Sequence, residues 1–318
     1  MDYSVFFVGF CDSLIMCKNF LFFQKSMLSI IIVSYKNNER TIAYVQGELS
    51  KVKIPHKVVV VNNAATSESN AELAKNLKAE IVEVGCSVAN DSNVYIVNNP
   101  VNSGFAKGNN IGVKFAIDVL KAEYILFSNN DIKFIDSDVV ERLQKKLEAF
   151  PDAGIIGPKV VGLKGEMQSP EPYMSFWDRT VWMYASTFFL SKEAKAKRFK
   201  FNYSQDAKEG FHYKIMGSFF MVRSKDFVNC GMMDENTFLY AEEPILTERM
   251  KTIGLHPYYY PEVAVLHDHG ATTKKHLKKN KGSDIKFKSE CYYYRKYMHT
   301  PIWQIWIGKI VHFILRLK

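Results

Sequence analysis

Cysteine is scarce in this sequence and follows no metal-binding or disulfide pattern. Five cysteines are scattered through 318 residues, and their number is odd: Cys11, Cys17, Cys86, Cys230 and Cys291. This spacing argues against a cysteine-based metal site and favours a reducing, cytoplasmic compartment. A Walker phosphate loop and a Ser/His/Asp nucleophile set are also missing, so neither chemistry is indicated.

Long hydrophobic runs are missing as well. The apolar stretch 301–315 is too short and too interrupted to span a bilayer as a helix. The first 26 residues are apolar but broken by Asp12 and Lys18, and without a basic n-region or a cleavage site we expect no signal peptide. Met27 directly precedes a strong strand pattern. We therefore take Met27 as a candidate start, the alternative being that residues 1–26 add a hydrophobic anchor.

Acidic residues are rare at the C-terminal end. The C-terminal tail, residues 273–318, has twelve Lys or Arg against two acids, a net charge of +10, so the preceding 272 residues sum to −1. The body of the protein is therefore not predicted to bind nucleic acid. Trp and Tyr beside Lys and Arg in the tail favour a helix lying on an anionic membrane surface. The alternative is a terminal helix packed on the domain or on a second copy in a homodimer.

Strand and helix patterns alternate from Met27 onward. This order predicts an α/β fold with a parallel, Rossmann-like first half, whose strand ends share one side. The predicted strands are 28–34, 57–61, 93–97, 124–128, 218–223 and 263–266. The predicted helices are 39–49, 71–77, 108–120, 137–150, 173–200, 224–230 and 244–253, the last with proline at its first position.

The fourth of these strands ends in Asn129, Asn130 and Asp131. Residues i and i+2 of an extended segment project to the same side, so Asn129 and Asp131 could converge on a hard cation that prefers oxygen ligands. Ligands bind at the carboxyl ends of such strands. The alternative is an Asx-rich turn that satisfies only its own backbone.

Two further segments follow strands in the first half. Asn62 and Asn63 end the second strand, where a nucleotide base or ribose can bind, although a turn explains them equally well. The loop 99–110 contains two glycines that permit close backbone approach, and Lys107 offers a charge to a phosphate at a helix N-terminus.

Acidic and imidazole groups recur in the second half. Glu242 and Glu243 precede Pro244, which should hold Glu243 outside the helix, so that one carboxylate caps the helix and the other faces a cleft as a general base. Compensation of the helix dipole is the simpler explanation. His267 ends a strand and could bind the cation at Asp131, although a structural role is also plausible.

Seven segments in order resemble the family 2 glycosyltransferases with a GT-A fold, in particular the rhamnosyltransferase-like branch. They are SIIIVSYKN, VVVVNNAATSES, NPVNSGFAKGNNIGV, YILFSNNDI, IIGPKVV, MGSFFMVRSKDFVNCGMMDENTFLYAEE and VAVLHDHGAT. The resemblance implies a nucleotide-sugar-binding half (27–136) and an acceptor and catalytic half (137–272), merged through a mostly parallel sheet. Residues 1–26 form an N-terminal extension, and residues 273–318 form a helical, membrane-associating tail.

The resemblance also implies roles for individual residues. Asp131 would be the ligand of Mn²⁺ or Mg²⁺, with Asn129 at the first position of the D-x-D motif and His267 closing the metal site. Glu243 would be the catalytic base, with Glu242 as its rival. The donor-binding residues would be Ser34, Tyr35, Asn62, Asn63, Asn102, Gly104, Lys107, Asn109, Asn129 and Asn130.

Three positions depart from the family pattern. Asn62 replaces the aspartate that accepts the imino proton of uracil or thymine, so the base contact would lack charge assistance. Asn129 also replaces an aspartate. Glu243 replaces an aspartate and reaches about one methylene further, which keeps Glu242 in consideration.

The expected activity is inverting, metal-dependent transfer of a sugar from a UDP- or dTDP-linked donor. The acceptor would be the hydroxyl of a saccharide, with a lipid-linked saccharide at the cytoplasmic face of the membrane expected from the tail, in cell-surface polysaccharide biosynthesis. The alternative is a catalytically degenerate sugar-nucleotide or glycan-binding protein of a polysaccharide-assembly system.

Overall fold

The computed structural model describes residues 27–86, 91–182, 186, 189–191, 193–194, 207–268 and 279–316. The predicted extension 1–26 lies outside the described residues. The strands are β1 Leu28–Ser34, β2 His56–Asn63, β3 Glu80–Glu83, β4 Val94–Asn99, β5 Tyr124–Ser128, β6 Ile132–Phe134, β7 Ala153–Val161, β8 Gly210–Phe211, β9 Phe219–Arg223 and β10 His256–His267. The α-helices are α1 Asn38–Gly47, α2 Ser67–Leu77, α3 Gly104–Asp118, α4 Val139–Ala149, α5 Ser224–Asn229, α6 Glu242–Lys251, α7 Lys279–Lys296 and α8 Ile302–Arg316.

The strands form one mixed sheet in the order β3-β4-β2-β1-β5-β9-β7-β10-β6, with β8 beside β10. The first five strands pair in parallel, and β7 pairs in parallel with β10. Strand β9 runs antiparallel between β5 and β7, and β6 runs antiparallel to β10. The prediction of an α/β fold with a mostly parallel sheet is confirmed. The boundary between halves at residues 136 and 137 stays a prediction.

Both faces of the sheet are buried, which explains the continuous apolar runs of the central strands. Successive side chains of a strand point to opposite faces. In β1, Ile30 and Ile32 join one apolar cluster, and Ile31 between them joins the other. Helix α3 packs against β1 so closely that a Cβ on Gly112 would lie 2.7 Å from Ile31.

The predicted strands and helices are largely confirmed, with β1 and β5 correct to the residue. Strand β3, which has only four residues, was not predicted from the sequence, and neither were β6, β7 and β8. Strand β7 contains Gly154, Gly157 and Pro158, which conceal its pattern. The proline lies where the pairing with β10 shifts register, the kind of irregularity at which a strand tolerates proline. The predicted helix 173–200 is a π-helical segment at Trp177–Trp182, and most of its remainder lies outside the described residues.

The start of α6 differs from the prediction. The helix begins at Glu242, so Pro244 is its third residue, and Glu243 lies inside the first turn rather than being forced out of it. The first turn tolerates proline because its N–H groups have no partner within the helix. The chain reaches this turn through two left-handed residues, Tyr240 (φ 73°) and Ala241 (φ 67°).

The C-terminal tail is helical where it is described, as predicted, and α7 packs into the body of the protein. Phe287 and Tyr294 of α7 are buried in an apolar cluster with Ile245 of α6. The buried carboxylate of Asp234 accepts hydrogen bonds from Tyr292 Oη at 2.7 Å and Tyr297 Oη at 2.6 Å. Burial alone would raise the pKa of Asp234, but hydrogen bonds from Tyr297 and Asn236 outweigh it and hold the pKa well below its usual range.

Helix α8 packs through one face and exposes the other. Ile305 is buried, and Gly308 sits against Phe176, whose ring leaves no room for a Cβ. The exposed face is apolar and is formed by Ile302, Trp303, Trp306, Ile307, Ile310, Phe313 and Ile314. Within the described ranges, no helix has the length and apolar character needed to cross a membrane.

Candidate active site

A cavity of about 1090 Å³ opens at the carboxyl ends of the central strands. The start of α6 and one side of α7 complete its walls. Ten of the fourteen predicted site residues line it: Tyr35, Asn63, Asn102, Gly104, Asn129, Asn130, Asp131, Glu242, Glu243 and His267. The sheet topology explains this convergence, because parallel strands deliver their carboxyl ends to one side.

Four predicted donor-binding residues do not line the cavity. Ser34 Oγ is 2.8 Å from Thr41 Oγ1, and Asn109 donates to Phe105 O within α3. Asn62 donates both amide hydrogens, to Ser69 Oγ and Asn70 Oδ1, and Lys107 is exposed on α3. A contact between these four residues and a donor stays a prediction.

Asn63 holds the loop between β4 and α3. Its amide nitrogen donates to Asn102 Oδ1 at 3.1 Å, and its oxygen accepts from Ser103 N at 3.0 Å. Gly104 has a φ of +78°, and a Cβ there would lie 2.2 Å from Phe238 O. The adjacent Phe105 N donates to that same oxygen. Glycine is therefore required where this loop meets the segment that leads into α6.

The register of β6 against β10 brings His267 to Asp131. His267 pairs with Ile132, and Asp268 N donates to Asp131 O at 3.2 Å. Asp131 Oδ1 then lies 3.3 Å from His267 Nε2, with both side chains buried. The sequence predicted this pair from two strand ends that are 136 positions apart in the chain.

The hydrogen bonds of His267 direct a lone pair at Asp131. His267 Nδ1 is 2.7 Å from Gln168 Oε1, and Gln168 Nε2 donates to His267 O at 3.4 Å, which fixes Oε1 as the acceptor. A neutral His267 therefore carries its proton on Nδ1 and turns the Nε2 lone pair towards Asp131. Asp131 Oδ1 is buried and accepts no hydrogen bond from any described residue. Two acceptors facing each other in this way require a cation or a proton between them.

Asn129 lines the same cavity as this pair and is held by its backbone. Asn129 N donates to Ser218 O at 2.9 Å, and its side chain lines the cavity. The Asn130 amide donates to Thr41 Oγ1 at 2.8 Å. Among the described residues no group of three His, Cys, Asp or Glu side chains is placed to hold a metal. A cation here would therefore have Asp131 and His267 as its strong protein ligands, with an amide, water or a bound ligand completing the set.

Glu242 and Glu243 differ in their surroundings. Glu243 Oε1 accepts from Gly217 N at 3.2 Å, and a Cβ on Gly217 would lie 2.7 Å from that oxygen. Glu242 is buried, and its Oε1 accepts no hydrogen bond from the described chain. Burial, helped by the charge of Glu243, raises the pKa of Glu242 to about 8. Burial therefore favours the protonated form of Glu242, while the backbone orients Glu243.

One wall of the cavity was not predicted from the sequence. Arg179, Lys214 and Tyr213 line it, and α7 contributes Lys281, Ile285, Lys286, Lys288, Ser289, Glu290, Tyr292, Tyr293 and Tyr294. The positions 281, 285, 288, 289 and 292 recur at the three- and four-residue spacing of one helix face. This spacing could have indicated that one face of a tail helix lines the cavity. The positive charge of the tail instead led to the prediction that it binds a membrane.

Comparison with known proteins agrees with this arrangement. The model of the family described as glycosyl transferase family 2 matches residues 29–228, more than half of the chain. The chain belongs to this family. Asp131 lies within the matched region, whereas Glu242, Glu243 and His267 lie beyond it.

Two relatives give the extent of the similarity. The chain is 24% identical over 218 residues to the low-salt glycan biosynthesis hexosyltransferase Agl10 of Haloferax volcanii, covering 68% of this chain and 59% of the relative. It is 32% identical over 127 residues to an uncharacterized protein of Methanocaldococcus jannaschii, covering 39% of this chain and 49% of the relative. The chain thus spans about half to three fifths of the length of these curated relatives.

A solved structure shows the same fold. The mannosyltransferase PcManGT of Pyrobaculum calidifontis, in complex with GDP-Man and Mn²⁺, superposes with a TM-score of 0.52 at 13% identity. The match covers 89% of this chain and 73% of that chain. The predicted GT-A fold is thereby confirmed.

Proposed function

We propose that this glycosyltransferase moves a sugar from a UDP- or dTDP-linked donor to a hydroxyl of a saccharide acceptor, with a divalent cation and with inversion at the anomeric carbon. The observation that carries the proposal is the buried pair Asp131 Oδ1 and His267 Nε2, 3.3 Å apart, in the same cavity as Glu242 and Glu243. Further support comes from PcManGT, which has the same fold and is in complex with GDP-Man and Mn²⁺.

The residues present fit a divalent cation. Asp131 and His267 would hold Mn²⁺ or Mg²⁺ with Asn129 beside them, since carboxylate, imidazole and amide groups are ligands that these ions accept. Gln168 would orient His267, as hydrogen-bonded partners of metal-binding histidines do. When bound, the cation would neutralise charge on the departing nucleoside diphosphate.

We assign the general base to Glu243. Gly217 N fixes its carboxylate at the cavity wall, where it would take the proton from the acceptor hydroxyl as the oxygen forms the new bond. Attack from the face opposite the departing diphosphate inverts the anomeric carbon. Glu242 is the weaker candidate because no described residue donates a hydrogen bond to its Oε1 and its burial disfavours the carboxylate form.

We further propose that the exposed face of α8 rests on an anionic membrane at the cytoplasmic side. Trp303, Trp306 and Phe313 are each more than half exposed on this face, and the tail carries a net charge of +10. Aromatic side chains beside basic residues suit the headgroup region of a bilayer. This placement supports a lipid-linked saccharide acceptor and a role in cell-surface polysaccharide biosynthesis.

A donor screen tests the proposed chemistry. We expect Mn²⁺ together with UDP or dTDP, or with a sugar linked to one of them, to raise the melting temperature of the protein, and EDTA to remove the shift. Asp131→Asn should lose the part of the rise in melting temperature that depends on Mn²⁺. Asp268→Asn is the matched control, because Asp268 pairs with Arg40 and does not line the cavity. Equal Mn²⁺-dependent shifts in both variants would refute the metal assignment.

A further inference from the structure

Helix α7 brings an unusual set of charges to the acceptor side of the cavity. Lys286 and Glu290 of this helix line the same wall as Glu171, Arg179 and Lys214. The five side chains are close enough that the other four all affect the pKa of Lys286. The set contains three cations and two carboxylates, so it carries one positive charge in excess.

Four of the five charges are paired. Lys214 Nζ lies 2.7 Å from Glu171 Oε2, and Arg179 Nε lies 2.9 Å from Glu290 Oε1. Each of these four side chains is at most 22% exposed. Glu171 and Lys214 also exchange backbone hydrogen bonds at 2.8 and 3.2 Å, which fixes the first pair. Both pairs are therefore built into the wall.

Lys286 is the remaining cation. Within the described part of the chain no carboxylate lies within 4.0 Å of its ammonium group, and no side chain or backbone oxygen accepts a hydrogen bond from it. Burial lowers the pKa of Lys286, the charges of Glu290 and Glu171 oppose this shift, and those of Arg179 and Lys214 add to it. The Lys286 side chain is half-buried in this wall. An ammonium that is partly withdrawn from water and has no partner is costly, so a bound anion would stabilise this wall.

We infer that Lys286 binds a phosphate group of the acceptor. An ammonium on a flexible stem suits a phosphate, which presents several charged oxygens, and Lys281 and Lys288 line the cavity on the same helix. This inference rests on the proposed function and deepens it, since it assigns the acceptor to the phosphate-bearing class. A saccharide attached to a lipid through phosphate belongs to that class.

The proposed phosphate site at Lys286 differs in position from the proposed donor site. Lys214 lies in the same short segment as Gly217, whose N–H donates to Glu243 Oε1 at 3.2 Å, and all three residues line the cavity. The phosphate site is therefore next to Glu242 and Glu243, where the acceptor hydroxyl must approach the general base. The donor diphosphate is assigned to Asp131 and His267, at the ends of β6 and β10.

The test uses inorganic phosphate and a short prenyl phosphate as probes, in EDTA, with the full chain. We expect both to raise the melting temperature, and Lys286→Met to weaken the apparent affinity by about 10- to 100-fold. Lys286→Arg, which keeps the charge, should retain most of the binding. Lys114→Met is the matched control, because Lys114 is exposed on α3 and does not line the cavity. Unchanged affinity in Lys286→Met would overturn the inference.

Two further measurements distinguish an acceptor phosphate from a donor phosphate, and failure of this inference from failure of the proposed function. With UDP or dTDP and Mn²⁺ present at saturation, the prenyl phosphate shift should persist. Its loss would show that Lys286 serves the donor and would overturn the acceptor assignment. Retention of the UDP–Mn²⁺ or dTDP–Mn²⁺ shift in Lys286→Met shows that the donor site is intact. If wild type responds to neither nucleotide with Mn²⁺, the proposed function fails irrespective of the phosphate result.

Discussion

His267 Nδ1 lies 2.7 Å from Gln168 Oε1, so a residue 99 positions away in the chain sets the tautomer of the histidine that faces Asp131. The segment after β7 folds back so that Gln168 N donates to Val160 O at 2.9 Å, and Val160 pairs with Val265 of β10. The imidazole can therefore present Nε2 to a cation without first reorienting. Gln168 was not identified as a site residue from the sequence.

Replacement of Gln168 should weaken the metal site without removing a ligand. We expect Gln168→Leu to reduce Mn²⁺ affinity by about 10- to 100-fold, because the histidine loses the acceptor that orients it. Gln168→Glu keeps an acceptor for Nδ1 and should retain most of the affinity. Titration of Mn²⁺ in the presence of UDP or dTDP measures both. Equal affinities for Gln168→Leu and wild type would show that the contact does not matter for the metal.

Substitutions of Glu243 and Glu242 should affect the rate of sugar transfer at neutral pH very differently. Glu243→Gln should lower the turnover rate by about 10²- to 10⁴-fold, the usual effect of losing a general base, while Mn²⁺-dependent nucleotide binding remains. Glu242→Gln should have a much smaller effect, because burial favours the protonated form of Glu242 and glutamine resembles that form. The reverse ranking would transfer the role of base to Glu242.

Glu242 should also make stability depend on pH. Its pKa is about 8 in the folded protein, against an ordinary value of 4.5. Burial disfavours the charged form, so the stabilising contribution is complete below pH 4.5 and is lost as the pH rises through about 8. The free energy of unfolding of wild type should therefore fall relative to Glu242→Gln, by an amount on the order of a few kcal/mol. Denaturant titrations in EDTA at pH 5, 6.5 and 8 measure this, and a pH-independent difference would contradict it.

Membrane binding should depend on the exposed face of α8. Replacing Trp303, Trp306 and Phe313 together with serine should lower partitioning into anionic phospholipid vesicles by at least about 100-fold, given the apolar area lost. Ile135→Ser is the control, since Ile135 is 56% exposed and lies outside α8. Binding of wild type should also weaken as salt is added. Sedimentation of wild type as a dimer, and of the triple variant as a monomer, would instead assign this face to a second copy.

The fold could be predicted where a strand is long and apolar. The predicted bounds of β1 and β5 were correct to the residue, because short, continuous apolar runs of this kind are typical of buried strands. Strand β3, with the sequence Glu-Ile-Val-Glu, has too few residues and too much charge to be recognised alone. The start of α6 was misplaced because proline was taken to be the first residue of the helix.

The site could be predicted only from one side. Strand-end residues such as Asn129, Asp131 and His267 meet because sheet topology requires it, so their convergence follows from the alternation of strands and helices. No comparable rule predicts the opposite wall of the cavity, which α7 and the residues that pair with it form. Arg179 and Glu290 pair across 111 positions, and the sequence contains nothing that predicts this contact.

The hydrogen bonds of Asp234 limit how the tail can be studied. Tyr292, Lys296 and Tyr297 all bind this one carboxylate, which is 3% exposed. A protein shortened after residue 273 would lose those three donors and the side of the cavity that bears Lys286. Shortened protein would then be impaired in folding, catalysis and vesicle binding at once, and could not assign any of these losses to the membrane. Point substitutions that leave α7 in place are the appropriate tools, and crystallisation of this protein should keep its last forty residues.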